Sequence, residues 1–200
     1  MPEMSRFEKR FVNRRSARAY QRVLARIEQA GQLPITSSSH VLELGAGNGA
    51  LSIVIQERFH PAQIRVTDYD PEQLLVAKQN IEDHFGTVPP SMVVERGDAA
   101  HLGYADSSFD LVMAHHVLHH LGSVPEILRG LDEIARVLRP GGRLFYVEMF
   151  HKRQIREHLT ERGFVFGYRE RAWRIFNVAD VVVAVSPGSK PATNGPTRFT

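Results

Sequence analysis

The chain has 200 residues, 42% of them hydrophobic and 24% charged, a composition typical of one globular domain. No apolar run approaches the roughly 18 residues that cross a bilayer, and the first residues lack the apolar stretch of a secretory signal. Cysteine is absent, which excludes disulfides, thiolate nucleophiles and cysteine-ligated zinc. These features favour a cytoplasmic protein.

The net charge of +3 is unevenly distributed. Residues 1–29 carry eight Lys or Arg against three Asp or Glu, residues 30–150 carry eight against fifteen, and residues 151–200 carry nine against four. The two basic ends could meet nucleic acid, membrane headgroups or an acidic small molecule. Solvated helix faces explain the same charges without any partner, so charge alone identifies none.

Residues 5–30 are predicted to form a helix, because their apolar residues recur near helical spacing and Gly31 and Pro34 end the run. Beyond it, short apolar runs alternate with amphipathic stretches. The seven runs, each predicted to be a strand, are 41–44, 64–67, 92–95, 109–114, 143–148, 164–168 and 181–185.

The order of these segments predicts an α/β fold. Helical segments near 48–59, 71–85 and 123–138 lie between the first five strands, and one near 152–162 precedes the sixth. Helix-length crossovers imply a doubly wound, mostly parallel, Rossmann-like sheet. About a dozen residues around Trp173–Asp180 separate the last two strands, short enough for an antiparallel hairpin. Residues 187–200, rich in Pro, Gly, Ser and Thr, are predicted to be a disordered tail.

Three glycines, Gly45, Gly47 and Gly49, directly follow the first strand and precede a helix. Glycine allows a sharp turn and lets a ligand approach the main chain closely. With Ala50 and with Asp68 23 residues after Gly45, the segment also satisfies the dinucleotide fingerprint. An NAD-dependent oxidoreductase is therefore one hypothesis.

Carboxylates stand at the ends of the first three predicted strands. Glu43 precedes the glycines, Asp68 follows the second strand and Asp98 follows the third. This negative charge would repel a pyrophosphate and favour a cationic or amine-bearing ligand. Asp70 has a sufficient role as the N-cap of the helix that Pro71 begins.

Five motifs in chain order resemble those of class I S-adenosylmethionine-dependent methyltransferases, most closely the small-molecule branch related to ubiquinone and menaquinone biosynthesis. They are Glu-x-Gly-x-Gly-x-Gly at 43–49, Asp-x-x-Pro at 68–71, Gly-Asp-Ala at 97–99, Ser-Phe-Asp-Leu-Val at 108–112 and Arg-Pro-Gly-Gly at 139–142, the last predicted to be a tight turn into the fifth strand. The resemblance covers about residues 38–150. It implies a seven-stranded sheet whose sixth and seventh strands form an antiparallel hairpin.

The resemblance also implies a function: methyl transfer from S-adenosylmethionine to a small-molecule acceptor by direct SN2 displacement. Two other classes stay open, an NAD-dependent oxidoreductase and a non-catalytic cofactor-binding protein of the same fold. By position, Asp68 would bind both ribose hydroxyls, Tyr69 would lie against the adenine and Asp98 would accept from the adenine amino group. The full set of implied cofactor-binding residues is Glu43, Gly45, Gly47, Gly49, Asp68, Tyr69, Asp98, Ala99 and His115.

Four histidines, His115, His116, His119 and His120, follow the fourth predicted strand. Pairs spaced i, i+4 could share a helix face as metal ligands, but no motif supplies a third ligand, so no metal is predicted. His115 or His116 is the candidate catalytic base, because imidazole titrates near neutrality and could deprotonate a hydroxyl or amine. A structural histidine at a strand end is the alternative.

The predicted organisation is an N-terminal helical lid at 1–34 and a methyltransferase domain at 35–186. The lid is an implication of the resemblance. The acceptor pocket would be formed by this helix, the 115–123 turn and the 149–153 loop, and a homodimer partner could complete it. Glu148, at the rim of the fifth strand, could bind a cationic substrate or be a solvated strand end. His151 and Arg153 adjoin the same rim, so an anionic group on the acceptor is the other hypothesis. Binding of the basic ends to nucleic acid or membrane is not favoured.

Overall fold

A seven-stranded sheet flanked by five helices forms the protein, in a computed structural model that describes residues 6–174 and 177–187. In chain order the elements are α1 (Arg6–Gln29), β1 (His40–Leu44), α2 (Ala50–Phe59), β2 (Gln63–Asp68), α3 (Pro71–Phe85), β3 (Met92–Arg96), β4 (Phe109–His115), a 3₁₀ helix (Leu118–Leu121), α4 (Val124–Val137), β5 (Leu138–Glu148), α5 (Lys152–Glu161), β6 (Val165–Arg174) and β7 (Asn177–Val185). Among the described residues, no helix is both long enough and apolar enough to cross a bilayer.

The strand order β3-β2-β1-β4-β5-β7-β6 confirms the doubly wound sheet with a C-terminal antiparallel hairpin. The first five strands run parallel, and α1, α2 and α3 pack on one face while α4 and α5 pack on the other. Chain order reverses between β1 and β4. In such sheets the crevice at that switch point, beyond the carboxyl ends of the strands, is where ligands bind.

Side-chain caps and a glycine set the ends of three of the helices. Asp70 caps α3 by accepting from the backbone N–H of Glu72 at 2.9 Å, as predicted, and Pro71 occupies the first turn. Ser123 caps α4 in the same way. Gly31, at φ +69°, follows α1, and the N–H of Gln32 returns to an earlier carbonyl of the helix.

Two predicted boundaries are wrong. β6 continues to Arg174 and β7 begins at Asn177, so the connection is much shorter than a dozen residues. Three consecutive charged residues, Arg169, Glu170 and Arg171, concealed the continuation of β6, because an edge strand tolerates charged side chains that a central strand does not. Likewise, residues 140–142 are not a turn before β5 but an irregular stretch within it, where the pairing register with β4 shifts. The predicted tail from 188 onward lies outside the described residues.

Candidate functional site

The glycine turn after β1 lies at the switch-point crevice, with Gly45, Gly47 and Gly49 at φ values of +61°, +54° and +73°. These are conformations that side-chain-bearing residues adopt only with strain. A Cβ added at Gly45 would collide with the side chain of Val117, which follows β4. A Cβ at Gly47 would meet nothing within 4 Å. Gly45 is therefore needed for packing, whereas Gly47 borders open space.

Asp68 ties the glycine turn to the end of β2. Its Oδ2 accepts from the N–H of Gly47 at 2.9 Å, and its Oδ1 accepts from the N–H of Asp70 at 3.0 Å. Asn80 of α3 supports the same turn by donating to the carbonyl of Asn48 at 3.0 Å. Each oxygen of a carboxylate has two lone pairs, so Asp68 keeps the capacity to accept from a ligand.

Glu43 lies beneath the turn rather than in the crevice. It is 3% exposed and accepts a hydrogen bond from the hydroxyl of Ser52 on α2. Burial raises the pKa of this carboxyl to about 7, and the neighbouring charge of Asp68 contributes in the same direction. The expectation that Glu43 adds a full negative charge at the rim is corrected accordingly, since its side chain faces the sheet–helix interface and is only partly ionised near neutral pH.

The remaining predicted cofactor residues lie at the adjacent strand ends. Tyr69 is 64% exposed, and the guanidinium of Arg96 lies 4.9 Å from its ring centroid. Asp98 follows β3 and accepts from the N–H of Ala100 at 2.9 Å. Ala99 is buried. Because β3, β2 and β1 are neighbours in the sheet, these residues and the glycine turn share one rim.

His115, at the end of β4, contacts the N-terminal helix. Its Nδ1 lies 3.1 Å from the hydroxyl of Tyr20, and the two rings meet edge to face with centroids 5.1 Å apart. His116 follows at φ +57° with its ring centroid 4.4 Å from that of His115. The prediction that α1 approaches the rim is consistent with this contact.

A buried carboxylate and an imidazole form a second pair at the same rim. Glu148 ends β5 with no exposed surface, accepting from the N–H of Leu118 at 2.9 Å and lying 2.8 Å from Nδ1 of His119. The ring of His119 also lies 5.2 Å from that of Phe150, which is 46% exposed. The interpretation of Glu148 as a solvated strand end is wrong, because two donors hold it inside the protein.

Sequence reasoning missed both the Glu148–His119 pair and the contact between Tyr20 and His115. These partners are 29 and 95 residues apart, so no local spacing signals them. One signal was available, since Glu148 is a lone carboxylate that ends an otherwise apolar predicted strand, and the four-histidine segment follows the predicted strand before it. Within the ranges that the structure describes, no group of three His, Asp or Glu side chains is placed to hold a metal ion.

Comparison with known proteins identifies the class. Residues 42–146 match the family model described as "Methyltransferase domain", and the chain belongs to that family. Membership in this methyltransferase family implies that the methyl donor is S-adenosyl-L-methionine.

Two relatives are named as methyltransferases, and a solved structure shares the fold. The chain is 37% identical to 27-O-demethylrifamycin SV methyltransferase of Amycolatopsis mediterranei over 58% of this chain and 40% of that protein. It is 32% identical to demethylmenaquinone methyltransferase of Lactiplantibacillus plantarum over 62% of this chain and 50% of that protein. The [4+2]-cyclase SpnF superposes with a TM-score of 0.71 at 18% identity, covering 86% of this chain and 82% of the other, which shows the fold alone. The chain thus spans half or less of the length of these two relatives.

Proposed function

We propose that the protein transfers a methyl group from S-adenosylmethionine to a small-molecule acceptor. The observation that carries this proposal is the crevice at the β1–β4 switch, where an open glycine turn adjoins carboxylates on neighbouring strand ends. A ligand with a sulfonium, an ammonium, two ribose hydroxyls and no phosphate is complementary to such a rim. Family membership and the relatives named for rifamycin and menaquinone precursors support the same conclusion.

The residues fit the cofactor in the following roles. Asp68 would accept from the ribose hydroxyls, Tyr69 would cover the adenine, and Asp98 with the N–H of Ala99 would bind the adenine edge. The glycine turn would lie beneath the methionine part, where the space above Gly47 is open. Glu43 acts as a positioning residue, because it holds the turn through α2 from below.

When bound, the cofactor supplies a methyl carbon that its sulfonium makes electrophilic. The protein's task is then to align the acceptor and remove its proton, and alignment alone accounts for much of the rate in such displacements. The Nδ1 of His119 is directed at buried Glu148, which fixes the tautomer with the proton on Nδ1 and leaves Nε2 as a proton acceptor. We assign His119 as the general base, with His115 and His116 as the earlier candidates to be tested beside it.

The N-terminal helix is proposed to cover the site. The second half of α1 belongs to the core, where Leu24 and Ile27 are fully buried. The contact of Tyr20 with His115 brings the helix to the rim, and the residues before Tyr20 extend from there. We therefore propose that, within the predicted lid segment 1–34, the part of α1 up to Tyr20 covers the catalytic domain at 35–186, whereas the rest of α1 packs as part of that domain.

Calorimetric titration tests the cofactor assignment. The protein should bind S-adenosylhomocysteine with micromolar affinity and NAD much more weakly. Asp68→Ala should lower the first affinity about 10- to 100-fold, since a hydrogen bond to a charged group contributes about 1.5–3 kcal/mol. Asp106→Ala, a change at an exposed aspartate away from the rim, is the matched control. Tight NAD binding would overturn the proposal, and cofactor binding with no methylation across a broad acceptor panel would favour a non-catalytic protein.

Histidine variants test the base. His119→Ala should lower kcat about 10²-fold or more, because that is what a positioned general base contributes. His120→Ala, at the exposed neighbouring position, should leave kcat unchanged. If His115→Ala or His116→Ala alone reproduces that loss while His119→Ala does not, the base belongs at the end of β4 instead.

A further inference from the structure

One buried carboxylate at the carboxyl end of the sheet is surrounded by three cations. Asp180 of β7 is 2% exposed. Its oxygens lie 3.7 Å from Nζ of Lys152, 3.5 Å from Nη1 of Arg156 and 3.2 Å from Nη2 of Arg169. Lys152, Arg156 and Arg169 are called here the cation cluster. Their side chains remain 31–42% exposed, so solvent and solutes reach them.

The charges in this cluster do not balance. Among the described residues, Arg156 and Arg169 share the single carboxylate of Asp180, so two guanidinium charges meet one negative charge there. Arg171 pairs in register with Asp180 across the hairpin and forms no ion pair with any residue in the described ranges, so it adds to the excess. The amino end of α5, where His151 provides no side-chain cap, contributes the positive end of a helix dipole.

Other arginines nearby are compensated individually. Arg153, on the same helix, is 80% exposed and pairs with Glu157 at 3.0 Å. Arg162, at the end of that helix, pairs with Asp132 at 2.9 Å. Among the described residues of the basic C-terminal segment, the surplus therefore lies at the cation cluster and at Arg171.

The cluster lies beside the proposed base. Asp180 is the direct cross-strand partner of Glu148, so their side chains share a face with Cβ atoms about 4.5–5.5 Å apart. Glu148 in turn holds His119, whose ring contacts the half-exposed Phe150. The cation cluster, the ring of Phe150 and the imidazole of His119 therefore lie near one another at the rim of β5 and β7.

We propose that the cation cluster binds an oxyanion group of the methyl acceptor, so that the acceptor is an anionic small molecule. Its apolar part would lie against Phe150 and its nucleophile would reach His119. Guanidinium groups suit this task because their paired N–H donors match carboxylate and phosphate oxygens. The inference deepens the proposed function and rests on it for the identity of the ligand as acceptor.

Titration with a matched pair of probes tests the proposal without requiring turnover. The probes are 4-hydroxybenzoate and the neutral 4-hydroxybenzamide, each added to the protein with and without S-adenosylhomocysteine. The wild type should bind the acid at least 10-fold more tightly than the amide, and this preference should fall as salt is raised. The double change Arg156→Gln with Arg169→Gln should abolish the preference, whereas Arg153→Gln should leave it intact.

Asp180→Asn separates an anion site from a structural ion pair. Removing the carboxylate frees the cluster, so binding of 4-hydroxybenzoate should tighten several-fold, whereas a purely structural role predicts weaker binding or none. Equal affinity of the wild type for acid and amide would overturn the proposal. Cluster-dependent binding to phosphatidylglycerol vesicles without binding of the acid would overturn it too, in favour of a lipid headgroup. Failure of S-adenosylhomocysteine to bind, with the acid preference intact, would instead reject only the proposed function.

Discussion

The two sides of the crevice carry different kinds of polar side chain. The side formed by β1, β2 and β3 presents carboxylates and a glycine turn, and its main contacts join residues of neighbouring strands and turns. The side formed by β4, β5 and β7 presents imidazoles and guanidinium groups, with its two carboxylates buried as supports. We therefore propose that the acidic side binds the cationic cofactor and that the basic side binds an anionic acceptor.

The first test weakens the support on the acceptor side. Glu148→Gln removes the charge that orients His119, so kcat should fall about 10²- to 10³-fold while the affinity for S-adenosylhomocysteine stays within a factor of two. Initial rates and calorimetry on the same preparation measure both. Glu161→Gln, an exposed change on α5, is the control. A comparable loss of cofactor affinity would mean that the two sides are not independent.

The second test compares two glycines within the cofactor side. Gly45→Ala should lower the free energy of unfolding by about 3 kcal/mol, because a Cβ meets Val117 in a strained backbone. Gly47→Ala carries only the backbone strain, about 1–2 kcal/mol, but its Cβ enters the open space and should weaken S-adenosylhomocysteine 10-fold or more. Urea unfolding with calorimetry distinguishes them. Equal stabilities for the two variants would contradict the packing argument.

The third test concerns the buried acid under the turn. Since burial raises the pKa of Glu43 to about 7, the folded state holds a proton that the unfolded state releases near pH 4.5. Stability should therefore fall as pH rises through this window and level off above pH 7. Glu43→Gln should remove the fall, gaining about 2–3 kcal/mol relative to the wild type between pH 5 and pH 8. Urea midpoints at both pH values measure this, with Glu161→Gln as control, and a constant difference between the proteins would refute the assignment.

The smallest effect is expected at the contact between Tyr20 of α1 and His115 at the end of β4. Tyr20→Phe removes the hydroxyl that contacts His115, which should cost about 1 kcal/mol of local stability in α1. Hydrogen exchange of the α1 amides should speed up several-fold with little change elsewhere. Tyr69→Phe, at an exposed tyrosine, should leave α1 unchanged. Faster exchange across the whole chain would indicate global rather than local destabilisation.

The fold, the glycine turn and the Asp70 cap were predictable from the sequence, because their signals are local. Glycines that need positive φ and an aspartate that caps a helix act within a few residues of their own position. The acceptor side was not predictable, because it depends on which strand neighbours which. The pairing of β7 with β5 brings Asp180 beside Glu148, 32 positions earlier in the chain, and no periodicity encodes that approach. The strand lengths of the hairpin were missed for a related reason, since edge strands tolerate charged residues that mask their pattern.

A crystal structure of the protein with S-adenosylhomocysteine tests the central assignment most directly. We expect the ribose hydroxyls at Asp68, the adenine between Tyr69 and Asp98, and the homocysteine part over Gly47, with the cation cluster left uncontacted. An adenosyl group bound at the cation cluster, or a phosphate-bearing dinucleotide occupying the glycine turn in its place, would contradict this assignment.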